Sequence, residues 1–229
     1  LVVHKPAGLV VHPAAGNLDG TLQNALLHRA PELAQLPRGG LVHRLDKDTS
    51  GLLVVARTLL AHKSLVEQLQ AREVHREYRA LVTGVPLGGG RIDAPLGRHP
   101  RLRTQMAVVP GGRPAVTHYR VLEDFAAHAL LGLRLETGRT HQIRVHLAHI
   151  RFPILGDPVY GGRPRPPKGA SSRLVTALRA FPRQALHAIR LGLRHPRTGA
   201  EMNWEVPLAP DMVALLVLLR AEASVDERR

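Results

Sequence analysis

Hydrophobic positions recur at two spacings along this chain, and the spacing changes from segment to segment. Continuous or alternating apolar runs that read as strands are Leu1-Val-Val, Gly51-Leu-Leu-Val-Val-Ala56, Glu77-Tyr-Arg-Ala-Leu-Val-Thr83, Ala115 to Leu122, Leu130 to Glu136, Ala185 to Arg194 and Glu201 to Val206. Leu9-Val-Val-His is a further short apolar run. A helical period marks Thr21 to His28, with Leu22, Ala25 and Leu26 on one side, and Leu59 to Gln70, with Leu59, Lys63, Val66 and Leu69 in register. It returns in Thr140 to Ile150, with Ile143, Leu147 and Ile150 on one face and Arg144 beside it. Met212, Leu215, Leu216 and Leu219 predict a last helix that caps the core.

Pro37-Arg-Gly-Gly, Gly88-Gly-Gly and Pro110-Gly-Gly punctuate these segments, and Gly156 to Ser172 reads as a Pro/Gly/Arg-rich loop. The paired glycines lack the spacing of a nucleotide fingerprint and read as turns. His195-Pro-Arg-Thr-Gly199 predicts a hairpin between the last two strands. Strands and helices mix without strict alternation, which predicts an α+β fold with mainly antiparallel pairing.

With 229 residues, 44% of them hydrophobic, the chain can bury a real core, and a single domain with room for two lobes is expected. The longest strongly apolar run, Met212 to Leu219, falls well short of the roughly 20 residues that cross a bilayer, so no membrane span is expected. The absence of cysteine excludes disulfides, thiolate metal sites and thiol nucleophiles. The formal net charge is +14, and all but Lys5, Lys47, Lys63 and Lys168 of the 32 basic residues are Arg. A bias toward Arg codons explains part of that ratio but not the sign of the charge. The planar guanidinium suits bidentate phosphate contacts, so a nucleic-acid partner is expected. Basic residues are densest at Arg72 to Arg79, Arg98 to Arg103 and Arg163 to Lys168. Aromatics make up only 3%, too few for binding RNA mainly through stacking platforms.

His43-Arg-Leu-Asp46-Lys-Asp48-Thr-Ser-Gly51 places a carboxylate and a guanidinium in a loop between apolar segments, where scaffolds commonly present functional groups. Asp48, Thr49, Ser50 and Gly51 are ordinary turn and capping residues. Asp46 precedes the turn and follows an apolar Leu45, which leaves both a catalytic and a structural role open. His141, His146 and His149 raise the alternative of a metal site. No carboxylate lies nearby in sequence and Arg144 would repel a cation, so no metal is expected.

The His-Arg-Leu-Asp-x-x-Thr-Ser-Gly block resembles the signature of the RluA-type pseudouridine synthases. Lys5 to Pro13, Arg76-Glu-Tyr78-Arg-Ala, Glu136 to His146 and Gly156-Asp-Pro-Val-Tyr-Gly-Gly162 resemble further blocks of that family, in the family's order and across nearly the whole chain. The resemblance implies a long mixed, mainly antiparallel sheet with flanking helices and a central active-site cleft. It implies isomerisation of uridine in RNA without cofactor or metal, with Asp46 as nucleophile, Arg144 as its cationic partner and Tyr78 stacking on the uracil. Arg44 is expected to fill the gap left by the extruded base, and His43, Arg139, His141 and Ile143 to contribute to substrate binding. Asp19 to His28, Arg113 to Arg120 and Gly156 to Ala170 look like the branch acting on large-subunit ribosomal RNA, which implies the helix 69 stem-loop of 23S rRNA or a precursor particle as partner. A cytoplasmic monomer is expected. Residues 1–229 are expected to form the catalytic domain, and an S4-type RNA-binding domain is expected upstream in such proteins. The alternatives are action on another rRNA or tRNA site, an RNA-binding relative without catalysis, and a hydrolase using Asp46 and His43.

Overall fold

The computed structural model describes residues 1–14 and 16–226, with side chains as far as residue 223. In chain order the elements are β1 (Val2–Lys5), α1 (Leu22–Arg29), β2 (Ser50–Val54), α2 (Leu59–Gln70), β3 (His75–Thr83), β4 (Gly90–Asp93), β5 (Leu96–Arg98), β6 (Met106–Val108), β7 (Val116–Phe125), β8 (His128–Leu135), α3 (Gln142–His149), α4 (Ser172–Ala180), β9 (Leu186–Arg194), β10 (Glu201–Glu205) and α5 (Pro210–Asp226). The composition is α+β, as the mixed spacing predicts. The chain divides into two compact units, one of residues 1–77 and 188–207, the other of residues 78–187 and 208–229.

In the first unit β1 pairs antiparallel with β2, β2 neighbours β9, and β10 returns antiparallel along β9 through the predicted hairpin at His195 to Gly199. Leu52, Val54, Ala56, Leu65, Val74, Leu191 and Leu193 form its core. Thr58 caps α2 by accepting from the Ala61 amide, which places the helix start where the sequence puts it. The buried face differs from the one read in the sequence. Leu59 and Lys63 point outward, while Leu65 and Gln68 face the core. Gln68 earns that place by bonding both backbone groups of Arg194, at 2.9 Å each, so a polar residue occupies a core-facing position that hydrophobicity alone assigns elsewhere. In α1 the capping box of Thr21 and Asn24 fixes the start, and Leu22 and Leu26 are buried while Ala25 is exposed. Leu9 to His12 forms no strand.

In the second unit β3 neighbours β8, β8 pairs antiparallel with β7, and β7 with β4. β5 and β6 form a separate antiparallel hairpin, and its Leu96, Met106 and Val108 pack with Val145 of α3. The strands β4, β5 and β6, of three or four residues each, are too short to register as periodic runs. Helix α4 was hidden in the same way, because its amphipathic stretch follows directly on the loop from Gly156. Leu174 and Leu178 supply its buried side. The last helix buries Met212, Leu215, Leu216 and Leu219 as expected. A bidentate pair at 2.6 and 2.8 Å between Arg183 and Asp211 fastens its first turn to the segment before β9.

Candidate active site

In the first unit, Asp46 lies on a loop whose backbone is held on both sides. Leu45 before it is buried, and the Asp46 carbonyl accepts from the Thr49 amide at 3.1 Å to close the turn into β2. After it, the Lys47 carbonyl accepts from the Gly8 amide at 3.0 Å and from Lys5 Nζ at 2.8 Å. Lys5 is fully buried, and its ammonium also donates to the carbonyls of Pro6 and Leu9 at 2.8 and 2.9 Å. One buried cation thus ties the turn after β1 to the loop that carries Asp46. At Gly51 the backbone adopts φ +113°, and a Cβ would come within 2.2 Å of the Ala188 carbonyl oxygen, so the loop can enter β2 here only as glycine.

His43 faces inward. Its Nε2 accepts from the Val54 amide at 3.0 Å, which requires the neutral ring with the proton on Nδ1. Burial, with the Arg76 cation, pushes its pKa down to about 3. Arg44 is exposed and, with Arg38, lies close enough to His12 to lower that histidine's pKa beyond the effect of burial.

In the second unit, Arg144 projects from α3 and is buried. Its Nε and Nη2 donate to the two oxygens of Asp157 at 2.7 and 2.9 Å. Asp157 Oδ1 also accepts from the amides of Val159 and Tyr160. Burial pushes the Asp157 carboxyl up, but the guanidinium and the two amides outweigh it, and the group sits below the ordinary carboxylate range. The Arg144 guanidinium stands 5.0 Å from the centre of the Tyr160 ring. The Tyr160 hydroxyl accepts from the Met106 amide and shares a 2.9 Å hydrogen bond with His141 Nδ1. At Gly156, with φ +72°, a Cβ would meet the Arg183 carbonyl oxygen at 2.2 Å, which fixes glycine just before the pairing carboxylate.

The remaining sequence-predicted residues of this unit take distinct places. Tyr78 is buried on β3, and Ile143 is buried on α3. Arg139 is exposed, with Nε donating to the Pro114 carbonyl at 3.2 Å. His141 stands in the left-handed region at φ 56° just before α3, so the helix starts later than its apolar period suggests. Gln142 explains that start: its amide donates to the Val116 carbonyl and Thr117 hydroxyl, and its Oε1 accepts from Thr137 Oγ1 and the Arg139 amide. His146, weighed as a metal ligand, spends both ring nitrogens on Thr117 Oγ1 and the Ala94 carbonyl. Among the described residues no group of three or more His, Asp or Glu is placed to hold a metal ion.

The profile described as RNA pseudouridylate synthase matches residues 1–149, which include the Asp46 loop, Tyr78 and Arg144. The chain belongs to that family. Two curated relatives, each a "Ribosomal large subunit pseudouridine synthase D", are 60% identical in Escherichia coli and 63% identical in Pseudomonas aeruginosa. Each alignment spans 222 residues, 97% of this chain and 68% or 69% of the relative. Among solved structures, human RNA pseudouridylate synthase domain containing 4 superposes with a TM-score of 0.73 at 29% identity, covering 96% of this chain and 89% of that one. Human RNA pseudouridylate synthase domain containing 1 superposes at 0.69 and 28% identity, covering 94% and 83%. For this pseudouridine synthase fold, sequence reasoning missed Lys5, Asp157 and Tyr160. Each lies in a block that resembles the family, and the available signal was a charged or aromatic residue inside an otherwise Gly/Pro-marked turn.

Proposed function

We propose that this pseudouridine synthase isomerises uridine to pseudouridine in large-subunit ribosomal RNA. What carries the reading is the backbone clamp on Asp46, inside a stretch that the family profile matches and within a chain 60% identical to large-subunit ribosomal synthases. In the reaction the C1′–N1 bond breaks, the uracil turns, C5 bonds to C1′, the C5 hydrogen leaves as a proton and N1 gains one. Nothing is oxidised or transferred from outside, so the chemistry asks for no cofactor.

Asp46 is the catalytic residue of the proposal, acting on the ribose either at C1′ or on the 2′ hydrogen. A carboxylate does either only when ionised and fixed in direction. The grip of Lys5 and Gly8 on the Lys47 carbonyl supplies the fixity. Arg144 is the cationic partner in the same proposal, and its own orientation is set by Asp157 and Tyr160. Tyr78 takes the uracil ring, and exposed Arg44 enters the stack that the extruded base leaves. Extrusion costs a few kcal/mol, which stacking and phosphate contacts must offset. His43, Arg139, His141 and Ile143 contribute to substrate binding in the same proposal. The proposal extends to a monomer acting in the cytoplasm on 23S rRNA or its precursor particle, at the helix 69 stem-loop.

The test is release of tritium from RNA carrying 5-tritiated uridine. Stoichiometric release with formation of pseudouridine is expected. RNA binding without release would leave an RNA-binding relative, and strand cleavage would leave a hydrolase.

A further inference from the structure

Most exposed arginines that the structure places next to an acid are neutralised by it. Arg57 pairs with Glu32, Arg91 with Asp93, Arg190 with Glu205, Arg194 with Glu73 and Arg220 with Glu123. Other exposed arginines, Arg101 and Arg173 among them, pair with no carboxylate among the described residues; Arg151, Arg163 and Arg165 are members of that group that share one groove. All are exposed, none has a carboxylate partner among the described residues, and all line one groove of about 720 Å³ in the second unit. Its lining also includes Ala127, Ala148, Pro153 and Tyr160. That tyrosine ring carries the Arg144 guanidinium, so the groove borders a side chain that positions the candidate active-site cation.

The groove is built rather than incidental. Arg163-Pro164-Arg165-Pro166-Pro167 sets two guanidiniums among prolines whose φ is fixed, which reduces the chain entropy lost when a ligand binds. Arg151 stands at φ 69°, a left-handed conformation that ends α3 and turns its side chain to this side. Three unneutralised forks in a groove also lined by apolar groups match a single RNA strand: phosphates for the guanidiniums, ribose or base for the apolar lining. A volume of this order suits nucleotide-sized groups, not a duplex.

We propose that this groove binds the RNA strand flanking the target uridine, with Arg151, Arg163 and Arg165 on its phosphates. The inference rests on the function proposed above and names where part of the substrate is held. It is tested with the triple variant Arg151→Gln, Arg163→Gln, Arg165→Gln against a control, Arg57→Gln, Arg190→Gln, Arg220→Gln, which removes the same charge from paired positions. The readouts are RNA affinity at several salt concentrations and the single-turnover rate of tritium release at saturating RNA.

The groove variant is expected to bind at least tenfold more weakly at physiological salt and to lose about 2 from the slope of log affinity against log salt, at roughly 0.7 per single-stranded phosphate. Its saturated rate is expected to stay within about twofold of wild type, because phosphate contacts position RNA without entering the chemistry. Unchanged affinity and slope, or an equal loss in the control, would overturn the groove while leaving the proposed function standing. A wild-type protein that binds RNA but releases no tritium would overturn the function, and the groove's role in it.

Discussion

Arg144 and Asp157 face each other edge to edge through two hydrogen bonds of 2.7 and 2.9 Å, both side chains buried. A guanidinium bound this way cannot rotate about its long side chain, so its remaining donor edge points in one direction. Asp157→Asn removes one acceptor and the charge. We expect kcat to fall about a hundredfold with KM changed a few-fold at most, since misplacing a positioned group costs on that order. The melting temperature should also drop, because breaking a buried pair costs about 3–5 kcal/mol. Tyr160→Phe, which keeps the ring over Arg144 but loses the bonds to Met106 and His141, is expected to lower kcat less. Full activity in Asp157→Asn would refute the positioning role.

Asp46→Asn is expected to abolish tritium release while RNA affinity stays within a few-fold, because affinity comes mainly from phosphate contacts. Arg144→Ala should disable the reaction too, and the double variant should be scarcely worse than either single one, as for residues that act as a unit. Additive losses would separate the two residues.

Lys5→Met keeps the length of the side chain but leaves three carbonyls without their shared donor. A loss of about 3 kcal/mol of stability is expected, which for a protein of this size is a fall in melting temperature on the order of 10 °C. Activity at low temperature, where the variant stays folded, should also drop, since the loop carrying Asp46 is then held at Lys47 by the Gly8 amide without the buried ammonium. Retention of full activity in the folded variant would show that the clamp serves the fold alone.

His43, at about 3, and His128, pushed down to about 4 by burial, are both held below the roughly 6.5 of an unfolded histidine. As pH falls the unfolded chain takes up protons first. Stability is therefore complete above about pH 6.5 and drains away between there and the folded values. Thermal melts across that range should show a steady decline, and His128→Asn should flatten it whatever its starting stability. An unchanged slope would mean that His128 is not among the groups resisting protonation.

The sequence revealed the strands and helices that bury one clear face, such as Leu186 to Arg194 and Leu59 to Gln70, because burial imposes a period. It misjudged the facing of α2 because Gln68 belongs inside for its hydrogen bonds, which no hydropathy pattern records. Asp46 stood out through its motif. Asp157 did not, since its role depends on a guanidinium thirteen positions away, and only the fold brings the two together. The resemblance puts His43 among the substrate contacts; in the fold its Nε2 accepts from the Val54 amide, a bond that no sequence pattern records.

The division of the chain has a consequence for synthesis on the ribosome. The core built on Leu52, Val54 and Leu65 lacks Leu191 and Leu193 until β9 has emerged, so the first unit must wait for the strands of the second to be made. The second in turn stays open until α5 arrives with Asp211 for Arg183. The first unit is thus completed only once residues 188–207 have been made, and the second only once α5 has, and nascent chains stopped before residue 188 should expose apolar surface and recruit chaperones.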